Sequence, residues 1–427
     1  MVDNILKKSE YNVFLDNNIV CNLLSQKFLQ LNDKLYQYIK ANSNFMKNDL
    51  GSVFGKLLEY NIITTNEELP IIDYRYNSLK FDKSKASYIV YPTLLCNFNC
   101  NYCFETNKKS QLNDFNTELL RNFFINQATS LTELNIRWSG GEPLLAWERI
   151  KLISAAILEN ANNLKYSFSL ATNGYYLSES IVNDLFNLHF STIQVTLDGT
   201  PEEHNSIRYT NNDYDTYSKI VAGIKIASKL LPTIIRLNIH DNNVKSFTDF
   251  LNNLEKNNVN NVNIEIFVKP IRPKQDLSFS CGLINDEEFN EHEMKFCTIA
   301  HEKGFRYSIH PNFKSNIRCL FHHVNSYVID PNLSLYKCTF DLGDENRRIG
   351  KINNLSEIEI SNFQYANDCL TYSPVAIAEC RNCKVLPICY GKCGLVWNNN
   401  NQMKDAGCIP EKKSIKLKLN RFINNER

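Results

Sequence analysis

The sequence has no excess of either charge: 47 Lys and Arg stand against 46 Asp and Glu. That balance offers no basic surface to a phosphate backbone and no acidic tail, so nucleic acid is not an expected partner. Long hydrophobic runs are missing as well. The first residues, MVDNILKKSEYNVF, place polar and charged side chains where a signal peptide needs an apolar stretch. Nothing downstream approaches the roughly 20 apolar residues of a membrane span. A cytoplasmic protein with no membrane partner is the expectation. No internal repeat is visible.

What the chain does have is cysteine, 14 in 427 residues. In a small secreted domain that number would imply disulfides, but in a long chain without an export signal it points to metal or redox chemistry. Three of them, Cys96, Cys100 and Cys103, lie close together, and most of the others follow residue 318. The length suggests two to four folding units, at about 100–200 residues per domain.

Segments 88–95, 133–139, 166–172, 192–198, 233–239 and 262–269 are short, rich in β-branched and aromatic residues, and bounded by turn formers. Between them 116–129, 147–162, 178–188, 214–230 and 244–256 have helical spacing. Strand and helix alternating in this way predict an α/β fold with a parallel sheet, here a partial (β/α)6 TIM-like barrel over 87–305. Residues 1–86 read as a small α+β module with a strand-like YNVFLDNNIV, an amphipathic stretch from Ser25 to Ile39, and helical spacing from Leu50 to Tyr60. Residues 306–410 are cysteine-rich and turn-rich, with a hairpin signal at NSYVIDPNLSLYKC, and 411–427 is a basic helix candidate.

Cys96, Cys100 and Cys103 follow the first predicted strand directly, which gathers three thiolates at the carboxyl end of a barrel strand, where βα loops build active sites. A [4Fe–4S] cluster usually takes four cysteines, so a three-cysteine loop leaves one iron open to a ligand. Spacing alone leaves a zinc knuckle with a distant fourth ligand as an alternative. The CxxxCxxC pattern, with Tyr102 before the last cysteine, resembles the signature of the radical S-adenosylmethionine (SAM) superfamily. The resemblance implies that the open iron chelates SAM and that the reduced cluster cleaves it to methionine and a 5′-deoxyadenosyl radical. It also implies an electron donor such as flavodoxin or ferredoxin, and it places Tyr102 beside the adenine.

The second strand ends in Ser139-Gly140-Gly141-Glu142-Pro143. Taken alone this is an ordinary turn whose glycines admit close backbone approach. One βα unit after the cluster loop, it resembles the family's GGEP motif, which implies that Gly140, Gly141 and Glu142 hold the methionyl amino group. Two further strand ends, Ala171-Thr172-Asn173-Gly174 and Thr196-Leu197-Asp198-Gly199, point into the same mouth, and routine turn chemistry would also account for them. By resemblance Asn173 joins the cofactor site, Thr196 contacts the SAM ribose, and Arg208 partners the SAM carboxylate. Asp198 and Gly199 read as turn formers.

The carboxyl-terminal order Cys380-x2-Cys383-x5-Cys389-x3-Cys393, then Cys408, preceded by Cys319 and Cys338, is similar to the SPASM domain. The resemblance implies two auxiliary [4Fe–4S] clusters, one on Cys380, Cys383, Cys389 and Cys408, the other on Cys319, Cys338 and Cys393. Two departures stand out. Leu333 occupies the position where the family has glycine five residues before Cys338, which predicts a differently built turn. A cysteine shortly before Cys319 is missing, with Cys297, Cys281 or an open iron as substitutes. Zinc ribbons remain an alternative for this region. Cys21 and Cys369 match no pattern and read as buried thiols.

SPASM-bearing radical enzymes largely modify peptides and proteins. The expected function is therefore maturation of a ribosomally made precursor peptide, by a crosslink or related modification. The main alternative is oxidation of a sulfatase residue to formylglycine, and a zinc-stapled interaction protein is the alternative outside enzymology. The amino-terminal module favours the first, because many peptide maturases hold a leader peptide on such a module by adding a strand to an exposed edge.

Overall fold

The computed structural model describes residues 6–103, 105, 109–271, 284–308, 319–391, 393, 408–409 and 411–425. Cys281 lies outside them. The described chain forms two compact units, one drawn from 1–81 and 371–427, the other from 82–308 and 319–370. The cysteine-rich region is thus shared between the two units.

The first unit opens with strands β1 (Leu6–Lys8), β2 (Asn12–Phe14), β3 (Ile19–Asn22) and β4 (Lys27–Gln30), then helix α1 (Asp33–Ala41) and strand β5 (Asn44–Phe45). Helices α2 (Lys47–Leu50) and α3 (Phe54–Glu59), strand β6 (Ile63–Thr64) and helix α4 (Glu68–Lys80) follow. The strands make two three-stranded sheets, in the orders β2-β3-β4 and β5-β1-β6. YNVFLDNNIV is a hairpin rather than one strand, because Asn17 and Asn18 both adopt left-handed φ, of 55° and 57°, a conformation asparagine tolerates. The amphipathic stretch from Ser25 likewise divides into β4 and α1, with Asn32 capping the helix by accepting from the Leu35 amide. Val20, Tyr36, Ile39, Leu57, Ile62 and Ile63 lie in one apolar cluster under these elements.

The second unit holds the predicted parallel sheet. Its strands are β7 (Lys85–Val90), β8 (Glu133–Trp138), β9 (Lys165–Thr172), β10 (Phe190–Thr196), β11 (Thr233–Ile239) and β12 (Ile264–Pro270). All neighbours among them pair in parallel, in chain order. The intervening helices are α5 (Asp114–Ser130), α6 (Trp147–Glu159), α7 (Glu179–Asn187), α8 (Pro201–Ile207), α9 (Thr216–Ala227) and α10 (Phe247–Lys256), with α11 (Asp286–Glu302) after β12. The sheet extends beyond the arc, because β13 (Ser326–Ile329) pairs in parallel with β7. Strands β14 (Ser334–Tyr336), β15 (Gly350–Ile352) and β16 (Ile358–Ile360) then continue it antiparallel, and α12 (Phe363–Thr371) follows.

Along each arc strand, buried apolar residues alternate with partly exposed ones. Tyr88 packs edge-on against Phe123 and Phe124 of α5, which identifies its side of the sheet as the helix-covered one.

The chain returns to the first unit with short helices α13 (Ala378–Arg381) and α14 (Leu386–Cys389) and the final helix α15 (Glu411–Asn425). Helix α15 reaches the amino-terminal hairpin. Asn420 exchanges hydrogen bonds with Asp16 at 3.1 and 2.9 Å, and Phe422 stacks on Phe28. No described helix is long and apolar enough to cross a membrane.

Candidate active site

The cysteine loop and the glycine pair after β8 are fixed to each other through the backbone. The Gly141 amide donates to the Thr93 carbonyl at 3.1 Å and the Glu142 amide to that of Leu95 at 2.8 Å. A Cβ on Gly140 would lie 2.3 Å from the Thr93 oxygen, and one on Gly141 would lie 2.3 Å from that of Leu95. Any side chain there would push the cysteine loop away, so the glycines are required by close approach.

Glu142 is fully buried and acts as a brace. One carboxylate oxygen accepts from the Thr172 hydroxyl at 2.7 Å and the Leu144 amide at 3.0 Å, and the other accepts from the Asn173 amide at 2.7 Å. Burial raises its pKa, and these three bonds oppose the rise. The Asn173 side chain in turn donates to Asn97 at 2.8 Å and approaches the Cys96 sulfur at 4.0 Å. The Phe98 amide donates to the same sulfur at 3.4 Å. Burial pushes the Cys100 thiol up to about 11, against the pull of the nearby Arg208 guanidinium.

Across the strand ends lies a second buried network. The Tyr102 hydroxyl donates to Asp198 and accepts from Arg208 at 2.6 Å and from Asn238 at 3.2 Å. Asp198, with no exposed surface, pairs with Arg208 at 3.6 Å and accepts the Asn238 amide at 2.9 Å. Its own amide donates to His204 Nδ1 at 3.0 Å, so the imidazole is neutral, as burial also dictates by lowering its pKa. Arg208 also lies over the rings of Phe98 and Tyr102. Thr196 ends β10 opposite Arg236 in the register.

Sequence reading missed Asp198 and Asn238 as members of the site. Asp-Gly after a strand reads as a turn, and only the pairing with Arg208 and Tyr102 gives the carboxylate its place.

In the first unit Cys380, Cys383, Cys389 and Cys408 line one small cavity together with Leu386, Gly391 and Lys412. Burial pushes the Cys389 thiol up to about 12. Cys393 belongs to this unit, whereas Cys319 and Cys338 belong to the second. Cys297 is buried on α11, Cys21 in β3 and Cys369 in α12. Leu333 has φ 64°, the left-handed geometry a glycine would take, so the turn before Cys338 keeps a glycine-like backbone with a leucine in it. No disulfide joins the described cysteines, and no three described His, Cys, Asp or Glu side chains converge as a single metal ion would require.

Two buried donors beside the cysteine loop, Asn97 Nδ2 and Arg208 Nε, have no hydrogen-bond partner among the described residues. Unmet donors next to three thiolates suit an anionic cluster and a carboxylate-bearing cofactor. The three thiols and the unmet donors therefore suit an anionic iron–sulfur cluster with a carboxylate-bearing cofactor beside Asn97 and Arg208.

Comparison with known proteins identifies the family of the central domain. The radical SAM superfamily matches residues 90–254. An uncharacterized protein of Methanocaldococcus jannaschii is 30% identical over 165 residues, 38% of this chain and 51% of its own length. The cysteine-type anaerobic sulfatase-maturating enzyme of Clostridium novyi is 23% identical over 70% of this chain and 84% of its own. Two solved structures share the fold. One is anSMEcpe with bound AdoMet and Kp18Cys peptide, at TM-score 0.60 and 20% identity over 80% of this chain and 98% of that one. The other is Streptococcus suis SuiB bound to precursor peptide SuiA, at TM-score 0.57 and 13% identity over 94% and 99%. The superfamily implies SAM and a [4Fe–4S] cluster. Residues 90–254 form a radical SAM domain, and a SPASM-like cysteine-rich region follows it.

Proposed function

We propose that this chain is an iron–sulfur enzyme that uses SAM to modify a ribosomally made precursor peptide, installing a crosslink or related change. When bound, the cluster and SAM supply one-electron cleavage to methionine and a 5′-deoxyadenosyl radical, which takes a hydrogen atom from the peptide. In this reading Cys96, Cys100 and Cys103 hold the cluster, and Gly140, Gly141 and Glu142 keep its loop in place. Tyr102, Asn173, Thr196 and Arg208 face SAM. Cys380, Cys383, Cys389 and Cys408 hold one auxiliary cluster and Cys319, Cys338 and Cys393 another. The electron comes from a cytoplasmic donor such as flavodoxin or ferredoxin.

The observation that carries the reading is the backbone-fixed pairing of the three-cysteine loop with the glycine turn, beside unmet buried donors. The peptide class is supported by the first unit. The likeness to peptide-bound SuiB covers 94% of this chain, too large a share to omit the amino-terminal module, whereas the anSMEcpe likeness covers 80%. The outer strands of two three-stranded sheets in that module offer edges to which an extended peptide can add. The sulfatase-maturating reading draws on the Clostridium novyi relative.

The test is anaerobic reconstitution of the full chain. Bound iron and acid-labile sulfide, with reductant-dependent 5′-deoxyadenosine, are expected, and their absence rejects the radical reading. Mass change in a peptide encoded beside this gene, with none in a sulfatase-derived peptide, is the expected specificity. The opposite result selects the alternative.

A further inference from the structure

Strands covered on both faces should be nearly continuous apolar runs. The helix-covered positions of the arc obey, with Ile136, Trp138, Ile193, Val195, Ile235 and Leu237 buried. The opposite, inner face does not, and two arginines stand within strands there: Arg137, next to last in β8, and Arg236, midway along β11. Arg137 reaches over β9 and donates to the Gln194 side chain on β10 at 2.8 Å. Arg236 donates to the Asn238 side chain, two residues along its own strand, at 2.8 Å.

Those neutral contacts use one N–H of the five on each guanidinium. Among the described residues neither arginine forms an ion pair. Asp198 is committed to Arg208 at 3.6 Å. The inner-face carboxylates Glu133 and Glu265 lie near the amino ends of their strands, the first beside Lys165 at 3.9 Å, the second bonded to Ser308. Burial lowers the pKa of both Arg137 and Arg236; repulsion from Arg236 adds to the drop at Arg137, while the more distant Asp198 opposes it at Arg236. A sheet that only had to fold would place apolar residues at these positions, because partly buried cations without a direct ion-pair partner are costly.

We propose that Arg137 and Arg236 form a carboxylate-binding subsite on the inner face of the arc, and that the substrate peptide docks an acidic group there. The proposal rests on the peptide-substrate reading above. The subsite lies next to the cofactor residues: Arg236 pairs with Thr196 in the register, and Arg137 is three residues before Gly140. A planar guanidinium fork matches a carboxylate. The acid is an aspartate or glutamate side chain of the peptide, or its own terminal carboxylate. Held there, it would set which neighbouring C–H faces the cofactor.

The experiment titrates N-acetylglutamate α-amide, N-acetylalanine and the neutral N-acetylglutamine α-amide into the reconstituted full chain with saturating SAM, with binding followed by ligand-observed NMR. At least one acid is expected to bind at least tenfold more tightly than the neutral probe, and the tighter acid identifies side chain or terminus as the source. Arg137→Met and Arg236→Met should each weaken that acid tenfold or more, with Arg→Lys recovering part of the loss. In thermal unfolding without ligand, the Met variants should be at least as stable as the parent. Equal binding of acid and amide by the parent overturns the proposal. So does acid binding unchanged in the Met variants, a large fall in their ligand-free stability, or loss of SAM affinity in place of probe affinity. Failure to form 5′-deoxyadenosine in the parent would instead reject the enzyme class and leave the probe result standing.

Discussion

The two cysteine sites are built by opposite means. Cys96, Cys100 and Cys103 hang from a six-stranded parallel arc whose core exists without them, and their loop is held by backbone bonds to the next strand end. Cys380, Cys383 and Cys389 sit on α13, on the turn after it and on α14, two helices of four residues each, and Cys408 lies outside any helix or strand. Such short helices are not stable alone. In the first region the fold positions the proposed cluster ligands. In the second the metal is expected to hold the fold.

The largest effects test that contrast directly. Cys96→Ala should abolish 5′-deoxyadenosine formation, a loss of at least about a thousandfold for a step with no route around it, while thermal unfolding of the reconstituted protein moves little. Cys389→Ala should do the reverse to the fold. It should lower the unfolding temperature and expose the 380–408 region to limited proteolysis, as loss of a structural metal site does. If chelation of iron unfolds both regions equally, the contrast is wrong.

Next in size is the brace at Glu142. Glu142→Ala leaves the Thr172 hydroxyl and the Leu144 and Asn173 amides without their acceptor, and denaturant titration should show a loss of about 3–5 kcal/mol. Glu142→Gln keeps the shape but supplies only one acceptor oxygen, so it should fall between Ala and the parent. Equal stability of all three would mean that the strand ends are held by the sheet alone.

A third effect belongs to the turn before Cys338. Asp330 is buried and accepts the amides of Asn332 and Ser334 at 2.9 and 2.8 Å, and burial raises its pKa from 3.8 to about 6. A raised folded-state value means the native protein binds the proton more tightly than the unfolded chain. Its contribution is therefore complete below about pH 4 and lost as pH rises through 6, of order 1–3 kcal/mol. Asp330→Asn should flatten the stability profile between pH 4 and 7 by that amount.

The same contrast governs what could be read from the sequence. β-branched and aromatic runs between turn formers located all six arc strands, and helical spacing located five of the helices between them within a few residues, but the short α8 was not read. The sequence could not show that the sheet continues through β13 beside β7, a pairing some 240 residues apart. Nor could it show that NNIV follows a hairpin turn, since only the φ angles of Asn17 and Asn18 separate the two strands. At the site, the cysteine loop and the glycine turn that the structure joins were legible from their spacing. The inner-face arginines carried a signal too, as charges inside otherwise apolar strands, but Asp198 looked like any Asp-Gly turn until its partners were in place.

The smallest effect is the most diagnostic of how the turn-built region works. Leu333 is 2% exposed and holds φ 64°, two properties that rarely coincide, since a side chain at left-handed φ costs roughly 1 kcal/mol. Leu333→Ala removes the buried side chain but keeps the strained backbone, and should lose about 2–4 kcal/mol. Leu333→Gly removes the same contacts and the strain with them. At a position with ordinary φ, glycine would be less stable than alanine by about 0.5–1 kcal/mol. Here the order should invert, with Leu333→Gly more stable than Leu333→Ala by about 1 kcal/mol in urea unfolding. An uninverted order would mean that the turn relaxes to another backbone once the leucine is gone, so that side-chain burial, and not the Asp330 amide bonds, sets the geometry leading into Cys338.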